Sequence, residues 1–477
     1  MPSAKHPNII FISAEQQRGD TVHCDGADWM VTPHQDALAA DGVLFGNNFS
    51  CAATCVSSRS AFYHALYPHT TGIFGFDRSS GRLHWTNRLS EAGYHCTSIG
   101  KTHLPQGGFD ERIAAQGNKY QTFQGEGRTE WYWAVKAAGY EPPFNLHETD
   151  PDYYDKLSAI VWPLPEELHP DMYVCRRALD WLDDWQKRPY AEKTPLYLHI
   201  GLLSPHDLYD PPQRFLDMYD DEDIPMPHVT EEERAGIPDE LWEEQRRDEH
   251  HHRTTIVHAS RATPERIRRM RKHYYALVTL IDEVLGRVIA SLKEKGLYDD
   301  SIIIYTSDHG DHLFDHGLHY KGELYDTITH MPLIIHAPDA HAPGRKVEDL
   351  VSHMDVAQYI LEKAGVPRDD LNGISLAPVV EGEARHAREY AFAEEGATGL
   401  RPVPDLNAMI RSQTHKLVYF TGNKTGQLYN LVADPGETRN LWDDPEYRHV
   451  RDTLTAELLD WLYSDVYKHQ DLFVNAR

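Results

Sequence analysis

The segment CAATCVSSRSAFYHALYPHTTG, residues 51 to 72, places two thiols and a guanidinium in close spacing. Cys51 and Cys55 stand four apart, and Arg59 follows Cys55 by another four. Such a pair could be a disulfide, two metal ligands, plain buried thiols or a reactive residue with a bystander. Only Cys55 has an arginine four residues on, at the start of an expected helix. The N-terminal end of a helix favours an anionic nucleophile through its free N–H groups.

Four apolar runs elsewhere end in polar groups able to do chemistry. NIIFIS leads to Glu15 and Gln16, CTSIG to Lys101 and His103, LYLHIGLL to His206, and SIIIYTS to Asp308 and His309. Short runs rich in β-branched residues suit buried parallel strands. In an open α/β sheet the carboxyl ends of such strands line the binding crevice. Taken singly, Glu15 and Gln16 also read as loop residues, and Lys101 or His103 as solvated ones. Their recurrence at four strand ends predicts one shared site of carboxylates, imidazoles and lysines.

The elements that must position these groups alternate in type. Strands are expected at Asn8 to Ser13, from Val43, up to Ile99, Leu196 to about Leu202, from Ser301, and within MPLIIHAP. TPHQDALAADG reads as a helix with Thr32 as its cap, Pro33 in its first turn and Gly42 at its end. From Arg269 to Lys295, Leu277, Ile281, Val284, Val288 and Leu292 recur every three or four residues, and Gly296 stops the helix. Alternating strands and helices predict an α/β fold with a mainly parallel sheet flanked by helices. Two polar inserts interrupt it, about 107–171 and 207–264; the run His250-His251-His252 is read as part of a solvated, charged insert. After about residue 365 the strand pair around NAMIRSQTHKLVYF, then GQLYNL, and a final helix from about Tyr447 predict a smaller α+β unit. The expected domains are therefore 1–365 and 366–477.

Composition bounds the partners. The 477 residues include 47 basic and 74 acidic ones, a formal charge of −27. That excludes a basic footprint for nucleic acid, although a few local cations can dominate one cleft and take a small anion. No apolar run reaches transmembrane length, and MPSAKHPNIIFIS lacks a signal-peptide core, so a cytoplasmic protein without a membrane partner is expected. Five cysteines are too few and odd in number for a disulfide framework.

The ordered set of motifs resembles the sulfatase branch of the alkaline phosphatase superfamily, with the formylglycine-dependent type I enzymes as the nearest pattern. NIIFISAEQQRGD looks like the first metal-binding strand, CVSSR sits at the Cys-x-Pro-x-Arg nucleophile motif, and LYPHTTG continues it. GKTH matches Gly-Lys-x-His, SPHD the third-strand histidine, TSDHGDHLFDHGLHYKG the second metal strand with its lysine, and GQLYNLVADPGETRNL the C-terminal signature. The resemblance implies an alkaline-phosphatase-like fold and hydrolysis of a small anionic sulfate ester. Cys55 would be the nucleophile, oxidised to formylglycine by a formylglycine-generating enzyme; Cys51 matches nothing functional. Glu15, Gln16, Asp308 and His309 would hold one divalent cation. Their oxygens favour calcium or magnesium, and the imidazole shifts the choice towards manganese. Arg59 and Lys101 would orient the formylglycine diol, His103 would be its base, and His206 and Lys321 would bind sulfate and assist the leaving oxygen. The tail SDVYKHQDLFVNAR reads either as a frayed terminus or, as in resembling enzymes, as a segment that docks on a second copy, and a homo-oligomer is expected.

Three positions depart from that pattern: Ser57 replaces the usual proline, Glu15 the usual aspartate, and His64-Ala65 the usual Thr-Gly. An unconverted Cys55 leaves room for a thiolate enzyme, with its pKa lowered by Arg59 and the metal, or for a non-catalytic binding protein. Gln16 and Asp308-His309 are shared with phosphonate monoester and phosphodiester hydrolases, which usually lack GKTH. Choline sulfatases share both DHG and Lys-x-His, so that substrate type fits as well.

Overall fold

A computed structural model describes residues 6–75, 80–103, 108–113, 129–143, 150–191, 194–237, 259–382, 384–396, 406–422 and 424–469. The His250–His252 run and the tail beyond His469 lie outside the described residues. Among them, a small three-stranded sheet pairs β3 (Asn48–Phe49), β8 (His330–Met331) and β11 (Val351–Ser352). The main sheet has eight strands: β1 (Asn8–Glu15), β2 (Val43–Phe45), β4 (His95–Gly100), β5 (Glu111–Ile113), β6 (Leu196–Pro205), β7 (Ser301–Thr306), β9 (Leu333–His336) and β10 (Arg345–Val347). Their order is β10-β2-β9-β7-β1-β6-β4-β5. Strands β7, β1, β6, β4 and β5 are mutually parallel, and β9 runs against both of its neighbours. The carboxyl ends of β7, β1, β6 and β4 therefore meet on one edge, as the strand-end clusters predicted.

Alternation along β1 serves both faces of the sheet, because successive side chains point to opposite sides. Ile10 and Ile12 face a core shared with α1 (Pro33–Ala40), α3 (Pro170–Gln186) and α4 (Pro264–Glu294). Ile9 and Phe11 face the core of α2 (Cys55–His64) and α5 (His353–Lys363). Each fully buried isoleucine contributes about 1.5–3 kcal/mol. After the main sheet, β12 (Ala391–Glu395), β13 (Asn407–Arg411), β14 (His415–Phe420) and β15 (Thr425–Asn430) form an antiparallel meander. One of its faces packs on α6 (Arg448–Lys468) through Ile410, Leu417, Leu428, Leu454 and Leu458. The other, with Met409, Val418 and Tyr429, packs on Ala53, Leu318 and Ile328 beside the crevice.

One helix start and one helix cap differ from the sequence reading. Helix α4 begins at Pro264, capped by the Thr263 hydroxyl, which accepts from Arg266 N–H. Thr32 does precede α1, but its hydroxyl accepts from His23 N–H and does not cap the helix. The cap comes from α4: Asp282 accepts from His34 N–H at 3.1 Å and Gln35 N–H at 2.7 Å. A carboxylate at a helix N-terminus satisfies donors that have no partner within the helix.

Burial pushes the Asp282 carboxyl up to about 7, against the opposing pull of the two N–H donors. Because the folded state holds this proton more tightly than the unfolded chain, protonation stabilises the fold fully below the ordinary carboxyl range, and this contribution is lost as pH rises through about 7. Asp282→Ala is expected to cost about 1–3 kcal/mol at pH 8 through the unpaired N–H groups. The cost should be about 1 kcal/mol larger at pH 6. Urea unfolding at the two pH values checks this, and an equal cost at both would exclude the raised pKa.

Candidate active site

Strand β1 delivers two donors side by side by breaking its own regularity. Its register against β6 slips between Ser13 and Glu15. Gln16 then turns through a φ of 72°, a left-handed conformation that costs a non-glycine residue about 1–3 kcal/mol. Surrounding bonds hold it there. Gln16 N–H donates to Asp308 Oδ1 at 2.9 Å, and its carbonyl accepts from Tyr274 hydroxyl at 2.7 Å. Its side-chain amide donates to Asp311, and its Oε1 accepts from Lys321 Nζ at 2.8 Å.

Helix α2 approaches these strand ends with Cys55 as its first residue. Ser58 hydroxyl donates to the Asp308 carbonyl at 2.6 Å. One turn along from Cys55, Arg59 donates from Nε to Asp308 Oδ2 at 2.9 Å and from Nη2 to Glu15 Oε2 at 2.6 Å. Lys101 Nζ takes the other Glu15 oxygen at 2.6 Å. Strand β4 can lie close enough to present it because position 100 is glycine, at φ 94°: a Cβ there would sit 2.1 Å from the Gly201 carbonyl oxygen. His103 follows at φ 54°. His206 donates from Nδ1 to the Asp207 carbonyl at 2.6 Å, which leaves Nε2 as an acceptor, 3.3 Å from Tyr320 hydroxyl.

The charges organise the protonation states. Burial alone would raise the Glu15 carboxyl, but Lys101 and Arg59 outweigh it and hold the group well below the usual range. Burial, opposed by Asp308 but helped by Lys321, lowers His309 to about 3. Burial and nearby lysines, Lys101 for His103 and Lys321 then Lys101 for His206, push both imidazoles well down. All three histidines are therefore neutral at neutral pH. Burial pushes the Cys55 thiol up, and the opposing pull of Lys321 and Lys101 does not reverse it. Arg59 alone therefore does not bring this thiol below its ordinary value.

The donor set fits a divalent cation. Glu15, Cys55 and His309 bring ligand atoms within 4.8 Å of one another, and all three are buried. His309 donates from Nδ1 to the Gly310 carbonyl at 2.9 Å, so its Nε2 lone pair is left as an acceptor. That lone pair and Gln16 Oε1 converge on one positive centre, the Lys321 ammonium, at 3.2 and 2.8 Å. Asp308 Oδ2 lies 3.7 Å from His309 Nε2. All ten residues singled out in the sequence thus gather around one crevice. The thiol left aside, Cys51, is buried with its Sγ 2.7 Å from His353 Nε2.

Several members were not foreseen. Asp311 accepts from both the Gln16 amide and Tyr209 hydroxyl; its signal was the second aspartate in SDHGDH. Tyr274 comes from a fully buried face of α4, where a tyrosine reads as core. Tyr320, next to Lys321, had no spacing to mark it.

Known proteins resemble the chain along most of its length. An arylsulfatase of Clostridium perfringens is 27% identical over 476 residues, with 95% of this chain and 94% of that protein covered. A choline-sulfatase of Rhizobium meliloti is 28% identical over 473 residues, covering 94% and 85%. The phosphonate monoester hydrolase of Agrobacterium radiobacter has the same fold, with a TM-score of 0.80 at 25% identity over 96% of each chain. The expected alkaline-phosphatase-like α/β architecture is thereby borne out. A family model described as N-sulphoglucosamine sulphohydrolase, C-terminal, matches residues 314–463. Since the model described as Sulfatase matches residues 7–366, well over half its length and every residue of the crevice, the chain belongs to the sulfatase family.

Proposed function

We propose that the protein hydrolyses a small organic sulfate ester through a formylglycine formed at Cys55, with one divalent cation held by Glu15, Gln16, Asp308 and His309. The observation that carries this reading is the convergence of Cys55, Glu15 and His309 within 4.8 Å beneath the Arg59 and Lys101 cations. The same reading divides the chain at about residue 365, between the last main-sheet strand, ending at Val347, and the meander that starts at Ala391. Five free cysteines support a reducing, cytoplasmic setting.

A divalent cation supplies a Lewis acid that lowers the pKa of an attacking hydroxyl and polarises a sulfate oxygen. Formylglycine supplies a hydrated aldehyde, one hydroxyl serving as nucleophile and the other allowing release of sulfate by carbon–oxygen cleavage. Arg59 and Lys101, each fixed by Glu15, orient the nucleophile and offset developing negative charge. His103 is held neutral by burial and Lys101, and as a base it would take its proton only as negative charge develops beside it. His206 presents Nε2 as an acceptor, so it positions groups and does not protonate the leaving oxygen. That proton falls to Lys321, an ammonium with three donors.

A second reading, hydrolysis of phosphonate monoesters or phosphodiesters, is favoured by Gln16 and His309 in the donor set and by the shared fold of the Agrobacterium enzyme. Lys101 and His103 beside the nucleophile favour sulfate. A degenerate binding protein with intact Cys55 comes third.

Mass spectrometry of the peptide from Cys51 to Arg59 in protein from its native host is expected to show the aldehyde at Cys55. Sulfate release should be found among aryl, choline and sugar sulfates. Intact thiol together with Cys55→Ser as active as the parent removes the nucleophile assignment. Faster turnover of phosphonate monoesters or phosphodiesters than of any sulfate establishes the second reading.

Stripping metal with EDTA should abolish turnover. Manganese should restore it better than calcium, because one of the donors is an imidazole. Turnover by metal-free protein would contradict both hydrolytic readings.

Lys321→Ala should lower kcat by about 10²-fold for alkyl sulfates, whose leaving oxygen needs a proton. It should cost much less for 4-nitrophenyl sulfate, whose leaving group does not. Equal losses on both would shift the acid role elsewhere.

A further inference from the structure

Thr54 precedes the first turn of α2, where a threonine hydroxyl ordinarily accepts a bond from a free helix N–H. Here the hydroxyl caps nothing in the helix. Thr54 Oγ1 lies 2.6 Å from Ser57 Oγ and 3.3 Å from each oxygen of the Glu395 carboxylate. Ala53 N–H donates to the same carboxylate at 3.0 Å. A carboxylate accepts, so the Thr54 hydroxyl donates to Glu395 and the Ser57 hydroxyl donates to Thr54. Thr54, Ser57 and Glu395 are 6%, 0% and 1% exposed. One residue before Glu395, Glu394 N–H donates to the Cys51 carbonyl at 3.1 Å. Strand β12 thus grips the residues on both sides of position 52 and reaches into the turn that begins at Cys55.

A first helical turn does not hold itself in place. Its leading N–H groups have no partner within the helix, and Ser58 N–H to Thr54 carbonyl, at 2.9 Å, is the bond that opens the helix. Ser57 leaves its own φ free, unlike an imino acid at that position. We propose that Thr54, Ser57 and Glu395 are positioning residues for Cys55: a buried hydrogen-bond chain from the C-terminal meander that fixes the first turn of α2. The inference rests on the reading of Cys55 as the nucleophile, and its three members act through that residue.

Links in series fail together. Thr54→Val removes the middle link at constant shape, and Ser57→Ala removes the outer one. Each is expected to lower kcat about tenfold with KM changed less than twofold, since small misplacements near the reacting atoms are costly. The double variant should lose no more than either single one, because the two changes break one chain. Hydrogen exchange of the peptide spanning residues 51–59, measured on the metal-loaded enzyme, should accelerate about tenfold in each single variant and no further in the double. Ser57→Pro fits the first turn of a helix and should render Thr54→Val nearly silent in both measurements. Multiplying kcat losses, unchanged exchange, or a raised KM at constant kcat would overturn the proposal. If Ser57→Pro does not fold, the Thr54→Val and Ser57→Ala pair decides alone. Cys55→Ala separates the two levels: retained activity refutes the nucleophile reading, while the exchange arm still tests the clamp.

Discussion

Arg59 sits between two buried carboxylates, and the geometry of the crevice follows from that placement. Glu15 ends β1 and Asp308 follows β7; both are buried, and neither could carry its charge there without a partner, since an unpaired buried ion costs several kcal/mol. The guanidinium fork answers both at once, through Nε to one and Nη2 to the other. Helix α2 therefore cannot shift along the sheet without uncovering two negative charges. Its first residue, Cys55, is set over the strand ends by an interaction one turn further down the helix. Lys101 completes Glu15 from β4, so three parallel strands and one helix share a single electrostatic joint.

The joint is bordered by strained backbone. Gln16, His103, Leu313, Phe314, His316 and Tyr320 all have positive φ, and each lies in a connection leaving a strand of the crevice. At about 1–3 kcal/mol each, these conformations persist because the surroundings leave no alternative. Asp315 is held by Arg18 and by Arg271 at 3.0 Å, and His316 by Glu233 at 2.8 Å. Those anchors shape the loop between His309 and Lys321, and the loop carries the lysine back over the donors of β1 and β7. Strain here is the cost of bringing distant side chains to a common point from strands that end in parallel.

What the sequence made legible follows from how local each signal is. The apolar runs of β1, β4, β6 and β7 and the polar residues just after them are contiguous, so the crevice could be read from four separate segments. The direction of β9 could not, because LIIH reads the same either way in a sheet buried on both faces. The start of α4 was missed by five residues because Pro264 to Arg268 contribute little to the apolar repeat. Asp282 capping α1 and Glu395 holding Thr54 join residues 247 and 341 positions apart, and no spacing rule reaches that far. The thiol of Cys55 shows the limit of reading charge from neighbours in sequence: the arginine is present, but its charge is spent on Glu15 and Asp308, and burial governs the thiol.

The overall charge of −27 is at odds with an anionic ligand only if the chain is treated as one sphere. At physiological salt, charges beyond about 8 Å are largely screened. Within the crevice Arg59, Lys101 and Lys321 stand among Glu15, Asp308 and Asp311, a local balance unlike the acidic excess of the whole chain. The histidines add nothing to it, because burial keeps His103, His206 and His309 neutral. Were they charged, the crevice would repel a cation and would lose its nitrogen lone pairs. Kept neutral, they retain their nitrogen lone pairs inside a site where cations and carboxylates offset one another. Burial, which costs so much at Glu15 and Asp308, is therefore also what makes the imidazoles usable.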